Sequence, residues 1–166
     1  MRMSETVIDE LVRNARLHEA DFRGPRAVVP ARHVAIVTCM DSRIDTFSIF
    51  GLDSGEAHII RNAGGLVTDD VLRSLVVSQR VLQTREVVIM HHTGCGLHNA
   101  DEAALRETIR RETGAEPPYP FGAFPDLDEA VRGATKRVRE HPFLPHRDQV
   151  RGFVYDVERG QLREVG

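Results

Sequence analysis

His33-Val34-Ala35-Ile36-Val37-Thr38-Cys39-Met40-Asp41, the run HVAIVTCMD at residues 33–41, is short, apolar and rich in β-branched residues. That is the pattern of a strand buried on both faces, as in a parallel sheet covered by helices. The strand is predicted to end at Cys39, where polar residues begin. AHIIR at 57–61 reads as a second strand of the same kind. Glu86 to His91, within REVVIMHH, reads as a third and stops at the turn Gly94-Cys95-Gly96. Val150 to Val157 reads as a fourth.

The intervening segments carry helical spacing. Residues 4 to 20 are predicted helical, with Ser4 as cap and Val7, Ile8, Leu11, Val12 and Ala15 on one face. Gly24, Pro25 and Pro30 turn residues 22 to 32 into a connector. Ile44 to Leu52 reads as either a loop or a short helix, and Asn62-Ala63-Gly64-Gly65 as a tight turn. Val67 to Leu82 repeats apolar residues at Val71, Leu72, Leu75, Val76 and Leu82 behind Asp69 and Asp70. Asn99 or Asp101 caps a helix that runs to Thr113 and ends at Gly114. Pro117, Pro118, Pro120 and Pro125 make residues 115 to 125 an ordered loop, and Asp126 to His141 is helical again. Arg159-Gly160 makes a turn, after which Gln161 to Val165 pairs back as an antiparallel edge strand. Strands alternating with helices predict an α/β fold, with a mainly parallel central sheet of four strands flanked by helices, in a single domain over residues 1–166.

The 166 residues suffice for one ordinary core. Hydrophobic residues make up 41% and charged residues 28%, as in ordinary globular chains. A net charge of -3 leaves no basic excess to neutralise phosphates, which argues against nucleic acid as a partner. No run of about eighteen apolar residues suggests a membrane partner. Met1 to Arg13 lacks the apolar stretch of a secretory signal, so a cytoplasmic location is expected.

The chemistry gathers at strand ends, where open α/β sheets bind ligands. The cysteines are Cys39, which closes the first predicted strand, and Cys95, in the turn after the third. Two unrelated buried thiols, or one long-range disulfide, would also account for them. Cys39 is no phosphatase nucleophile, because the position six residues on, where an arginine would cradle phosphate, is Asp45. His92-x-x-Cys95 joined by Cys39 offers two thiolates and an imidazole, a donor set that suits zinc with one position left open. Asp41 and Arg43 lie two and four residues past Cys39. They form either a surface ion pair of little consequence or a carboxylate oriented by a guanidinium fork beside the metal. His91 faces the other side of its strand and reads as a packing residue or as a support behind the metal ligands, with an exchange of roles with His92 left open. His58 and His98, near predicted loops, are the candidates for moving protons.

Cys39-Met40-Asp41-Ser42-Arg43, Ile60-Arg61-Asn62-Ala63-Gly64-Gly65 and His92-Thr93-Gly94-Cys95-Gly96 resemble, in order and separation, the β-class carbonic anhydrases. The resemblance implies reversible hydration of carbon dioxide to bicarbonate and a proton, at one zinc ion per subunit. It implies Cys39, His92 and Cys95 as zinc ligands and Asp41 and Arg43 as a catalytic dyad. It sets Gly64 and Gly65 in the backbone lining of the substrate pocket. It further implies a homodimer or a dimer of dimers, with the N-terminal helix packed on the partner. The chain is short for this family. It contains no tryptophan, which argues against the tryptophan-dependent bicarbonate site that regulates some members. The superfamily also includes hydrolases of carbonyl sulfide and carbon disulfide with the same ligands and dyad. The Cys-x-Asp-x-Arg spacing further suggests that Asp41, released from Arg43 at lower pH, could become a fourth ligand in a closed state. A third reading is a zinc-binding module without turnover.

Overall fold

The computed structural model describes residues 5–166. The predicted Ser4 cap lies outside them. Helix α1, Val7–His18, is capped instead by Thr6, whose side chain accepts from the Asp9 amide while Asp9 accepts from the Thr6 amide. This reciprocal capping box satisfies two donors that a helix start would leave unpaired. No residue of α1 is buried, and Val7, Ile8, Leu11 and Val12 remain exposed along its apolar face.

The strands are β1 (Val34–Cys39), β2 (Ala57–Asn62), β3 (Glu86–His92), β4 (Val150–Asp156) and β5 (Gln161–Val165). They form one sheet in the order β2-β1-β3-β4-β5. The first four are parallel, and β5 returns antiparallel on β4, as the Arg159-Gly160 turn predicted. The inner strands are buried on both faces. On β3, Val87 and Ile89 join the larger core, whereas Met90 belongs to the second, with Val88 packed against it. This is why β3 reads as a continuous apolar run rather than an alternating one.

Helix α2, Thr46–Phe50, settles the ambiguous segment, with Asp45 accepting from the amides of Phe47 and Ser48. Helix α3, Asp69–Arg80, begins two residues later than its apolar pattern because the Thr68 hydroxyl caps it at Val71. Helix α4, Glu102–Thr113, takes Asp101 as its cap and Gly114 as its left-handed stop. Asn99 is instead a left-handed turn residue with φ +58°, a conformation asparagine tolerates better than most. Helix α5 spans Leu127–Glu140 behind Asp126. Val71, Leu72 and Leu75 of α3 and Val138 of α5 pack with Ala35, Val37, Val87 and Ile89 to form the larger core. The second cluster gathers Cys39, Ile44, Met90, Cys95 and Phe124 around the carboxyl ends of β1 and β3. Among the described residues no helix is long and apolar enough to cross a membrane.

Candidate metal centre

Sheet register builds the site. Parallel pairing sets Thr38 beside Met90, so β1 and β3 end side by side, one in Cys39 and the other in His91 and His92. The chain then turns through Gly94, at φ +62°, to bring back Cys95. One ligand atom each from Cys39, His92 and Cys95 lies within 4.8 Å of the others, and all three residues are buried. Both cysteines are free thiols, so the disulfide reading does not hold.

The donor chemistry fits a metal ion. His92 is fully buried, and its Nδ1 lies 2.9 Å from the Thr93 carbonyl oxygen. That contact makes Nδ1 the protonated nitrogen and leaves the Nε2 lone pair free. Nε2 is itself buried and has no hydrogen-bond partner among the described residues. A tautomer fixed this way is how metal-binding histidines are usually held. Burial pushes the His92 imidazole down and the Cys95 thiol up, each toward its neutral form. A cation among them would reverse that preference for the thiols.

Asp41 and Arg43 are joined more tightly than a surface pair. Arg43 Nε donates to Asp41 Oδ1 at 2.9 Å, one terminal nitrogen donates to Oδ2 at 2.7 Å, and the Arg43 amide donates to Oδ1 at 2.9 Å. These bonds, the guanidinium first, hold the Asp41 carboxyl well below the usual carboxylate range. The same terminal nitrogen reaches the Gly94 carbonyl oxygen at 2.9 Å, tying the loop after β1 to the loop after β3. Asp41 Oδ2 lies 3.8 Å from His92 Nε2, beside the cluster of ligand atoms.

Gly64 and Gly65 form a tight turn at the end of β2, both at positive φ. A Cβ on Gly65 would fall 2.8 Å from the Cys39 amide nitrogen and 2.9 Å from the Thr38 carbonyl carbon. Gly65 thus lets the turn lie directly on the backbone that carries Cys39. Gly65→Ala is expected to cost on the order of 2–5 kcal/mol, from left-handed strain plus a clash with backbone. Denaturant unfolding of the variant against the parent chain checks this, and an unchanged midpoint would contradict it.

Two supports escaped the sequence reading. Arg61 donates to the carbonyls of Cys39 (2.9 Å) and Asp41 (2.7 Å), and so holds the segment that presents both side chains. Asn62 clamps the glycine turn by bonding the amide and the carbonyl of Leu66, each at 2.8 Å. Both residues sit in the motif that drew attention to the glycines, which was the available signal. His91 is buried, as expected of a packing residue, and burial lowers its pKa to about 4. His98 stacks on Phe124 at 5.7 Å, three residues past Cys95. His58 pairs with Ala35, four residues before Cys39, and bonds Ser78, so it stands away from the carboxyl ends.

Comparison with known proteins agrees with this geometry. The family model described as carbonic anhydrase matches residues 34–116. The chain is 44% identical to β-carbonic anhydrase 1 of Mycobacterium tuberculosis, over 96% of this chain and 98% of that one. It is 30% identical to a carbon disulfide hydrolase of Acidithiobacillus thiooxidans, over 87% of each. Among solved structures it superposes on a carbonic anhydrase of Streptococcus mutans with a TM-score of 0.91 and 37% identity, over 99% of this chain and 100% of that one. By fold, motif and sequence alike, the chain belongs to the β-carbonic anhydrase family.

Proposed function

We propose that this chain catalyses the reversible hydration of carbon dioxide to bicarbonate and a proton, with one zinc ion per subunit held by Cys39, His92 and Cys95. The single observation that carries the reading is the unpartnered Nε2 of His92, buried beside two free thiols and 3.8 Å from the Arg43-bound carboxylate of Asp41. When bound, zinc would act as a Lewis acid that makes water a usable nucleophile near neutral pH.

The protein's own groups do the rest. An ionised carboxylate accepts hydrogen bonds only, so Asp41 takes one from the O–H of the nucleophile and turns an oxygen lone pair toward the substrate carbon. Arg43 keeps Asp41 ionised and fixed in place. Gly64 and Gly65 offer backbone where side chains would block a small, linear, uncharged substrate. Water plus carbon dioxide then balances bicarbonate plus one proton, which leaves to buffer. The exposed apolar face of α1 supports assembly as a homodimer or a dimer of dimers, in which this helix would be covered.

The 30% identity to a carbon disulfide hydrolase supports a second reading, hydrolysis of a sulfur analogue at the same site. Stopped-flow hydration of carbon dioxide, set against sulfide release from carbonyl sulfide and carbon disulfide, separates the two. Carbon dioxide turnover is expected to dominate, and the reverse ranking would make the chain a hydrolase. Zinc-loaded protein inactive on all three substrates from neutral pH to about 9, the range in which such water ionises, would leave a binding module.

A further inference from the structure

Residues 115 to 123 contain three prolines and no regular structure, yet the loop is held firmly by α4. Its three successive amides at 121–123 converge on one carboxylate. Phe121 donates to Glu102 Oε1 at 3.0 Å, and Gly122 and Ala123 donate to Oε2 at 3.0 and 3.2 Å. Gly122, at φ +81°, makes this concave amide nest accessible to the backbone. Arg106, one turn along α4, bonds Glu102 and also the carbonyls of Pro117 (3.0 Å) and Tyr119 (2.5 Å). These amides, Phe121 first, hold the Glu102 carboxyl below its usual range.

The loop leads directly to the metal centre. Phe124 donates to the Leu97 carbonyl at 3.1 Å, and Asn99 donates to the Phe124 carbonyl at 2.9 Å. The Phe124 ring lies 5.7 Å from both His91 and His98 and packs in the cluster that holds Cys39 and Cys95. The segment so clamped runs straight back to Cys95, because the His98 amide donates to the Cys95 carbonyl oxygen at 3.1 Å.

We propose that Glu102 is a positioning residue for the metal centre: by gathering the amides of Phe121, Gly122 and Ala123 it holds the loop that fixes the backbone from Cys95 to Asn99, and with it the direction of the Cys95 thiolate. The inference rests on the proposed function only in taking Cys95 as a ligand. Glu102 does not touch the ligand atoms. It acts through two backbone hydrogen bonds and one aromatic ring.

Glu102→Gln keeps the length and the helix propensity but turns an amide group toward backbone N–H donors. Hydrogen exchange at 121–124 and 97–99 is expected to quicken about tenfold, as loss of charge-assisted bonds implies. Zinc affinity by chelator competition is expected to fall about tenfold, the usual cost of disturbing support behind a ligand. The thiolate-to-cobalt absorption band of cobalt-loaded protein should shift. Glu102→Asp, which keeps the charge, should recover part of each change. Glu107→Gln, whose side chain bonds Arg110 on the exposed side of α4, should alter none. A Glu102→Gln protein that melts earlier but keeps the parent's zinc affinity and cobalt band would overturn the proposal, because Glu102 would then only staple a loop. If Glu102→Gln does not fold, a folded Glu102→Asp identical to the parent in all three measurements overturns it equally. None of these measurements depends on turnover, so inactivity of the parent chain on carbon dioxide would count against the proposed function and not against this inference.

Discussion

Arg43→Ala is expected to retain zinc and to lose roughly 10²–10³-fold in kcat/KM for carbon dioxide, the scale on which a preorganised electrostatic partner contributes. The loss follows from three bonds that end together: the two side-chain donors to Asp41 and the tie to the Gly94 carbonyl. Without them Asp41 can rotate, and the hydrogen-bond-accepting geometry is no longer set in advance by the structure. The pH dependence should change as well. The Arg43 guanidinium lowers the Asp41 pKa, so in the parent chain the carboxylate stays ionised well into acid. In the variant the carboxyl moves back toward its ordinary value of 3.8, and the acid limb of activity and of stability moves to higher pH with it. The stability from this pairing is present above the unfolded value and lost as pH falls through the folded one. Arg43→Lys keeps the charge without the fork and should recover only a small part. Stopped-flow pH profiles with metal analysis on the same samples provide the check. Full activity in Arg43→Ala would remove the dyad from the mechanism.

How much of this was legible in the sequence differs by the range of the interaction involved. Strand β1 and the ends of β3 could be read because burial on both faces leaves a run of apolar residues, and because the residues that break the run are the ones with chemistry. The parallel order followed from alternation with helices. Helix boundaries were less legible where a hydroxyl or carboxylate competed for the start: Thr6, Thr68 and Asp101 decided these, where the sequence pointed to Ser4 for the first helix and to Asn99 or Asp101 for α4. Glu102 was not legible as a support at all, and Arg61 was marked only by its place in the glycine motif, not by its role. Each bonds backbone carbonyls or amides about twenty residues away, and backbone partners leave no mark in side-chain pattern. His58 was misjudged for a related reason. Closeness to a loop in sequence did not say at which end of the sheet the loop lay, and the register puts it beside Ala35, away from Cys39.

Cys95→Ser and Cys39→Ser are expected to abolish zinc retention, and activity with it, while leaving the fold in place. Each change replaces sulfur by oxygen and removes no carbon, so the buried cluster of Ile44, Met90 and Phe124 keeps its packing. A serine hydroxyl does not ionise near neutral pH and is a harder donor, so the site loses one of its two anionic ligands. Structural zinc sites are worth roughly 10–16 kcal/mol in all, so one ligand among a few carries on the order of 3 kcal/mol or more, a hundredfold or greater in affinity. His92→Ala reaches the same end differently: it deletes a fully buried ring and leaves the Thr93 carbonyl without its donor, so it should lower stability as well as empty the site. The three variants therefore separate metal loss from misfolding. Metal content by elemental analysis should fall from about one zinc per chain to none in all of them, and all should melt below the zinc-loaded parent, but only His92→Ala should melt well below the zinc-stripped parent. A serine variant that keeps stoichiometric zinc through dialysis against a chelator would take that cysteine out of the ligand set, and with it the donor arrangement on which the proposed chemistry depends.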